Sequence, residues 1–299
     1  MATTYTGGRT LFGNLTNNNE SSNLTFGDTL INNNIRTIVS SRHFTFRENS
    51  GTKTTGASQQ FYTLPYDFLK LISVKVTVSS TDYTPKEAPS QEFWNKLNMS
   101  SVTSNIPEWY YVFNGQLGLY PKPSTAGNTI TYYYERAVRD LSIADYTTGT
   151  ILTASATAIT GIGNMSWTSQ MAGRYLNITL SNTTNTGDGY WYEVDSVTNT
   201  ANIVLKRTYG GTAISAGAAA YTIGQTSILP EDYQALPIYK SAEQYWTLYG
   251  DTAKAQLYKG LCQEMYAGLV KEYSSKSTNP VIEDIDIPMI NPNLFITGT

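Results

Sequence analysis

The chain has 299 residues, of which 40% are hydrophobic, 12% are aromatic and only 14% are charged. Its 20 basic and 23 acidic residues give a formal charge of −3, and so few basic groups disfavour strong binding to nucleic-acid phosphates. The 23 tyrosines supply many large side chains for a packed core, which excludes disorder of the whole chain.

The first predicted helix begins near Thr25, which together with Asp28 resembles a capping box. Apolar residues then recur at helical spacing up to Val39, and the aromatic residues Phe44 and Phe46 follow the helix. After a polar stretch, residues 71–77 alternate in the manner of a strand, with Leu71, Ser73, Lys75 and Thr77 on one face. Residues 90–98 suggest a short helix.

Two further apolar runs predict a small antiparallel sheet in the first half of the chain. Trp109 to Phe113 read as one strand, residues 115–123 with their glycines and prolines as a turn, and residues 129–138 as the next strand. From about residue 146 the sequence consists of short β-like runs separated by Gly, Asn, Ser and Thr. Their spacing suits a small all-β sandwich or barrel.

The helical pattern returns at Leu229, where Pro230 suits a first helical turn and Pro237 is expected to kink or restart the helix. Gly250 and Asp251 separate this helix from a second one, whose predicted packing stripe consists of Leu257, Leu261, Met265 and Leu269. Cys262 lies beside that stripe and reads as a small buried hydrophobe.

The last residues, 275–299, lack a helical period but contain apolar side chains at intervals. Such a segment commonly becomes ordered against another subunit. The candidate contact residues in it are Val281, Ile282, Ile285, Ile287, Met289, Ile290, Leu294 and Phe295.

The sequence offers little for catalysis, cofactors or metals. The chain contains one Cys and one His, which excludes an internal disulfide and a Cys/His zinc site. His43 follows the first predicted helix and has no Gly-x-Ser-x-Gly turn to serve as its partner, so a helix-end histidine is the better interpretation. Glu193 and Asp195 share one face of a strand and fit a solvated face better than a glycosidase pair. We therefore predict no catalytic, cofactor-binding or metal-binding residue.

Four segments taken in order resemble the head-to-tail adaptor, or connector, proteins of tailed bacteriophages. They are the first helix with its aromatic end (GDTLINNNIRTIVSSRHFTFRE), the strand from Tyr62 to Phe68, the hairpin from Gly115 to Pro123 with its return strand Tyr132 to Tyr134, and Leu229 to Tyr233 opening the C-terminal helices. The aromatic β-rich segment resembles a β-module that some of these adaptors carry as an insertion.

The resemblance implies a structural, non-enzymatic virion protein made in the host cytoplasm. It would form a ring of identical subunits, usually a dodecamer, below the portal protein at the portal vertex. The ring would extend the DNA channel, let DNA pass without specific binding, and offer a platform for tail or nozzle proteins. No window of the sequence is apolar over the length that a membrane helix needs.

The sequence thus predicts an α+β fold: a helical core with a small antiparallel sheet, an inserted all-β domain and an extended C-terminal tail. The predicted boundaries are 1–146 and 227–274 for the two parts of the core, 147–226 for the β-domain and 275–299 for the tail. Two other functions remain open. One is another virion component, such as a tail or decoration protein. The other is a carbohydrate-binding module that uses Trp167, Tyr175, Tyr190, Trp191 and Tyr192.

Overall fold

A computed structural model describes residues 3–180, 187–215 and 218–274 and shows an α+β fold, which confirms the predicted class. Within these residues five α-helices form: α1 Tyr5–Thr16, α2 Ser21–Ser40, α3 Gln91–Leu97, α4 Leu236–Leu248 and α5 Thr252–Tyr273. The short helix predicted over residues 90–98 is confirmed as α3. No helix in the described ranges is both long enough and apolar enough to cross a membrane.

Helix α1 precedes the helix that the sequence predicted to be first. Thr4 caps its N-terminus by accepting a hydrogen bond from the Gly7 backbone N–H at 3.1 Å. Asn17 ends it in the left-handed conformation with φ of 52°, and Phe12 is fully buried. The segment that forms α1 is rich in Gly and Thr, so the spacing of its apolar residues did not predict a helix there.

The predicted capping box at the start of α2 is wrong. The helix begins at Ser21, so Thr25 lies inside it and its hydroxyl donates to the Ser21 carbonyl at 2.8 Å. Asp28 instead accepts a hydrogen bond from the Tyr5 hydroxyl at 2.9 Å and pairs with Arg9. Asp28 therefore ties α2 to α1 and does not cap α2.

Four helices share one hydrophobic core. Phe12 of α1 contacts Tyr245 of α4 edge to face, with ring centroids 5.9 Å apart, and Ile31, Ile35 and Val39 of α2 are buried in the same cluster. Pro237 lies in the first turn of α4, so the helix restarts there, whereas Pro230 precedes a separate 3₁₀ turn over Glu231–Tyr233. The restart at Pro237 and the break at Gly250 and Asp251 are confirmed.

The strands outside the β-rich segment form two four-stranded sheets, not the single sheet that was predicted. The first sheet has the order β1-β8-β3-β4 and the second the order β2-β7-β6-β5. Their bounds are β1 Glu48–Thr54, β2 Phe61–Thr63, β3 Phe68–Val78, β4 Thr81–Tyr83, β5 Lys86–Glu87, β6 Trp109–Phe113, β7 Gln116–Tyr120 and β8 Thr129–Arg136. Both sheets contribute to one shared core.

The path of the chain between β7 and β8 explains why these strands form two sheets. Strands β6 and β7 form a tight hairpin whose turn residues Asn114 and Gly115 both have positive φ, of 50° and 69°. Beyond the proline-containing segment that follows Tyr120, β8 pairs with β1 and β3, so it does not continue the hairpin. Strand β1 lies within the segment that the sequence analysis treated as a polar connection.

The alternation predicted for β3 is interrupted by a bulge. The pairing with β8 shifts register between Leu71 and Ser73, so Leu71 packs against the core while Ile72 is 47% exposed. Beyond the bulge, Val74 and Val76 are buried as the alternation predicts. A bulge of this kind changes the face on which every earlier residue of the strand lies.

The β-rich segment forms a six-stranded antiparallel sheet with its own buried cluster. Its strands are β9 Thr150–Ser155, β10 Ala158–Ile162, β11 Tyr175–Ile178, β12 Trp191–Asn199, β13 Asn202–Leu205 and β14 Tyr221–Gly224. Two isolated bridges, Ile151 to Ala219 and Ala154 to Ile214, join the edge strand β9 to the chain ahead of β14. The sheet thereby curls toward a barrel, which removes most of its free edges.

Polar side chains clamp together the two chain segments that connect this sheet to the helices. The Gln225 side chain accepts from the backbone N–H groups of Ser142 and Ile143 at 2.9 and 3.1 Å and donates to the Asp140 carbonyl at 2.7 Å. Asn32 of α2 bonds both the N–H and the carbonyl of Leu141. Backbone groups that would otherwise lack partners are satisfied here, and the connections are held against the helical core.

Candidate assembly surfaces

The residues considered for chemistry do not form a reactive cluster in the structure. Among the described residues, no group of three or more His, Cys, Asp or Glu is arranged to hold a metal ion. Glu193 is partly buried and pairs with Lys206 at 2.5 Å, while Asp195 is exposed. Cys262 is buried in α5, and burial raises the pKa of its thiol to about 12, as expected of a packed and unreactive cysteine.

His43 lies directly beyond α2, as predicted, in a small network of charged side chains. Its Nε2 atom is 2.8 Å from a carboxylate oxygen of Glu135 on β8, and Arg47 approaches the other oxygen at 3.6 Å. Arg47 is nearly fully buried and also donates to the Val39 carbonyl at 3.4 Å. The network holds the chain just beyond α2 against the first sheet.

All eight predicted contact residues of the C-terminal tail lie outside the described residues. The structure does show where the chain leaves the core. Ser274 forms an antiparallel backbone bridge with Phe44, and the Thr45 hydroxyl donates to the Tyr273 carbonyl at 3.3 Å. The chain therefore leaves beside the segment that connects α2 to β1.

Aromatic packing fixes this exit point. The Phe44 and Phe46 rings stack with centroids 5.1 Å apart, and Tyr273 contacts Phe46 at 5.8 Å and Tyr233 at 6.1 Å, edge to face in both cases. Such contacts each contribute roughly 0.5–1.5 kcal/mol beyond simple area burial. The last turn of α5 is thus held by side chains from two other parts of the chain, residues 44–46 and Tyr233.

The outer face of the first sheet carries a shallow groove. Ser50 of β1 and Ser73 of β3 flank Tyr133 of β8 in register, and Ile72 and Asn49 complete the groove together with Glu48. Tyr133 and Ile72 are 43% and 47% exposed. Sequence reasoning missed this surface because it did not identify β1. The three consecutive tyrosines 132–134 could have indicated this surface. Side chains alternate along a strand, so at least one of the three must face outward.

A second exposed apolar surface lies on the outer side of α5 and at the end of α4. Leu257 is 60% exposed and Leu261 is 37% exposed, although both belong to the predicted packing stripe. The face that packs against the core instead carries Cys262 and Leu269. The predicted stripe is therefore wrong for its first two members, because neighbouring stripes on this helix are both apolar and only the packing with α4 selects between them.

Two of the five aromatic residues considered for sugar binding are buried, and two more, Tyr175 and Trp191, are partly buried. Trp167 is 2% exposed and donates from its indole nitrogen to the Tyr221 hydroxyl at 3.0 Å, and Tyr192 is also buried. Tyr190 alone among the five is strongly exposed, at 68%. A single strongly exposed ring does not by itself form the flat platform that stacking on a sugar requires.

The β-rich segment contacts the first sheet through a small cationic and aromatic junction. The Arg139 guanidinium lies 3.4 Å from the centroid of the Tyr66 ring, and the Tyr66 hydroxyl approaches Gly173 so closely that a Cβ atom there would lie 2.2 Å away. Arg136 donates to the Phe46 carbonyl at 2.7 Å at the neighbouring end of β8. The junction and the clamp at Gln225 hold the two β-structures in one arrangement.

Apolar surfaces that are open to solvent, such as those at Tyr133 and Leu257, are typical of a chain that binds other proteins. Comparison with known families identifies the class as a phage adaptor-type virion protein. Residues 4–162 match the model of the SU10 adaptor protein family, and this match spans more than half of the chain. The chain therefore belongs to the SU10 adaptor protein family. A search of curated proteins finds no match.

Proposed function

We propose that the chain assembles into a closed ring of identical subunits that binds below the portal protein at the portal vertex of the virion. The ring extends the DNA channel and provides the platform to which tail or nozzle proteins attach. The match of residues 4–162 to a family of adaptor proteins carries this proposal. The number of subunits that the resemblance implies is twelve.

The surfaces described above suit such a ring. Each subunit of a closed ring contacts its two neighbours through two different faces, so it needs two separate adhesive surfaces. The groove beside Tyr133 and the outer side of α5 at Leu257 lie on different elements and are both apolar in part. Tyrosine-rich and charge-poor surfaces are typical of such contacts.

The charge of the chain suits a channel through which DNA passes without specific binding. The formal charge is −3, and only 14% of residues are charged. A wall that neutralised many phosphates would release counterions and bind DNA tightly, which would oppose its movement. The protein acts in this proposal without catalysis and without a cofactor, and no membrane takes part.

We further propose that residues 147–226 are a β-domain inserted between the two parts of the adaptor core, residues 1–146 and 227–274. The separate buried cluster of the six-stranded sheet supports this division, as does the clamp on both connecting segments around Gln225. Residues 275–299 are a tail whose apolar side chains contact the portal or an adjacent subunit. The contact residues are the eight named above, from Val281 to Phe295.

Electron microscopy of the full chain, with and without portal complexes or emptied heads, tests this function. We expect a ring with a central channel that stacks on the portal. A chain that remains monomeric and ignores the portal would contradict the adaptor role. Mass spectrometry of dissociated virion parts distinguishes a location at the portal vertex from one on the capsid surface, which another virion component would occupy.

A deletion of residues 276–299 tests the tail separately. We expect docking to the portal, or assembly of the ring, to weaken by at least about tenfold, because the apolar contacts of the tail would be lost. A control chain with the same length of tail but with its isoleucines replaced by serine distinguishes the apolar contacts from the presence of the chain itself. Unchanged docking and assembly of both variants would contradict the proposed role of the tail.

A further inference from the structure

Strand β1 forms a free edge of the first sheet. It pairs with β8 on one side over all seven of its residues, Glu48–Thr54, and it has no strand on its other side among the described residues. The opposite edge strand, β4, has only three residues. A long unpaired edge is a ready template for another strand, and proteins usually cover or shorten it.

The hydrogen-bonding direction along β1 can be inferred from its neighbours. The Ser50 N–H donates to the Asn49 side chain at 3.0 Å and not to β8, whereas the Thr55 N–H donates to the Asn128 carbonyl at 2.8 Å beyond the end of the strand. Because backbone groups alternate in direction along an antiparallel strand, the groups of Ser50, Thr52 and Thr54 point away from β8. Thr52 and Thr54 thus offer N–H and carbonyl groups to an added strand, while Ser50 offers its carbonyl because its N–H is bonded to the Asn49 side chain.

The C-terminal segment of the chain has the length and pattern that this edge needs. Pro280 and Pro288 bound the seven residues 281–287, with the sequence VIEDIDI, and β1 also has seven residues. Prolines commonly bound strands because they lack an N–H. Ile285 and Ile287 alternate with Asp284 and Asp286, which is the period of a strand with one apolar face.

Charge favours this pairing near Lys53, whereas Glu48 at the other end of β1 is acidic. Residues 281–287 contain three acidic residues, Glu283, Asp284 and Asp286, and no basic residue. Lys53, in the second half of β1, is exposed and forms none of the ion pairs found among the described residues. On the outer face of the sheet, Tyr133 of the neighbouring strand β8 lies opposite Ser50 and is 43% exposed, so its ring offers an apolar surface to isoleucine side chains.

The exit point of the chain favours pairing between copies over pairing within one copy. The bridge between Ser274 and Phe44 is antiparallel, so the chain at Ser274 runs opposite to the direction that takes residue 44 into β1. Six residues, 275–280, separate the exit from the segment and span at most about 20 Å when extended. Because the chain at Ser274 heads away from the β1 edge of its own subunit, the edge of an adjacent subunit is the preferred target.

We propose that residues 281–287 of one subunit add as a strand to the free edge of β1 in an adjacent subunit. The added strand pairs with the backbone of Ser50, Thr52 and Thr54, and its isoleucines pack toward Tyr133 across Ser50. This inference rests on the proposed ring, since it needs an adjacent copy. In this proposal the tail binds a neighbouring subunit. Contact of the tail with the portal would be a different outcome of the test.

Photo-crosslinking in the full chain tests the pairing. A chain with p-benzoylphenylalanine in place of Thr54 is mixed with an isotope-labelled copy, assembled with portal complexes and irradiated, and the crosslinked peptides are identified by mass spectrometry. We expect the probe to capture a peptide containing residues 281–287 from the other isotopic copy. The same probe in place of Phe113, an exposed aromatic residue on β6, serves as the control and should not capture it.

A matched pair of substitutions tests the backbone contact. Thr52→Pro removes an N–H that points away from β8, so it should leave the sheet intact but reduce the crosslink at position 54 by about tenfold or more. Thr52→Ala keeps the N–H and should retain the crosslink. Thermal unfolding of both variants confirms that the first sheet still folds.

The alternative outcomes separate this inference from the proposed function. Rings whose crosslinks lead to the portal, to the same copy or to another segment would overturn the strand addition and leave the adaptor role intact. Equal crosslinking in Thr52→Pro and Thr52→Ala would also overturn it. A chain that forms no ring with or without portal complexes would overturn both proposals.

Discussion

Two helical glycines have opposite surroundings, and this difference decides what a methyl group would do at each. A Cβ atom on Gly27 of α2 would lie 2.3 Å from Phe12 of α1, whereas nothing lies within 4 Å of the same position on Gly260 of α5. Gly27 is therefore the residue that allows α1 and α2 to approach closely. Gly260 has no comparable packing reason.

We expect Gly27→Ala to lower the free energy of unfolding by about 1–3 kcal/mol, because overpacking outweighs the better helix propensity of alanine. Gly260→Ala should raise it by up to about 1 kcal/mol, because alanine favours the helix and has room there. Urea denaturation of both variants measures the two changes. A stabilising Gly27→Ala would mean that α1 does not pack against α2 through Phe12.

The buried thiol gives a second test at the scale of single residues. Burial raises the pKa of Cys262 to about 12, so almost no thiolate is present in the folded protein. At about pH 8 we expect Cys262 to react with a thiol reagent at least about a hundredfold more slowly in the native chain than in the denatured chain. Equal rates would show that the face of α5 carrying Cys262 is open to solvent.

Helix α5 shows how an element can carry more apolar surface than its own fold uses. Leu269 is fully buried, whereas Leu257 and Leu261 of the same helix are exposed to 60% and 37%. The two leucines on the outer side therefore contribute little to the stability of the isolated chain. They remain available to another subunit.

Substitutions along α5 test this assignment of its faces. We expect Leu269→Ala to cost about 2–5 kcal/mol of unfolding free energy, because it leaves a cavity in the helical core. Leu257→Ser and Leu261→Ser should change it by no more than about 0.5 kcal/mol, as is usual at a surface. The same denaturation experiment serves all three variants, and a large loss for Leu257→Ser would place the core on the other side of the helix.

Across the whole molecule, tyrosine burial links stability to alkaline pH. Burial, with Glu87 nearby, raises the pKa of Tyr110 from 10.0 to about 12, and burial also raises the pKa values of Tyr134 and Tyr221. The folded state thus favours the neutral phenols. Their contribution to stability is fully present below about pH 10 and is lost as the pH rises toward 12 and above.

We therefore expect the chain to unfold cooperatively in alkali, between about pH 10 and 12 and above, with much of its tyrosine ionisation coinciding with the loss of structure. Circular dichroism and tyrosinate absorbance, recorded on the same sample, make the comparison. The chain in denaturant is the control and should ionise near the ordinary tyrosine pKa. Ionisation of the buried tyrosines well before unfolding would contradict the packing described for Tyr134 and Tyr221.

The sequence alone determined the α+β class, the helix break at Gly250, the short helix α3 and the β-rich segment, because periodicity, glycine and proline act locally. It did not reveal α1, the strand β1 or the bulge at Ile72. It also did not reveal the division of the first strands into two sheets or the face on which α5 packs. Those features depend on contacts between distant residues, such as Phe12 with Gly27 and β1 with β8. Local patterns fit several arrangements of this kind equally well, and only tertiary packing selects one of them.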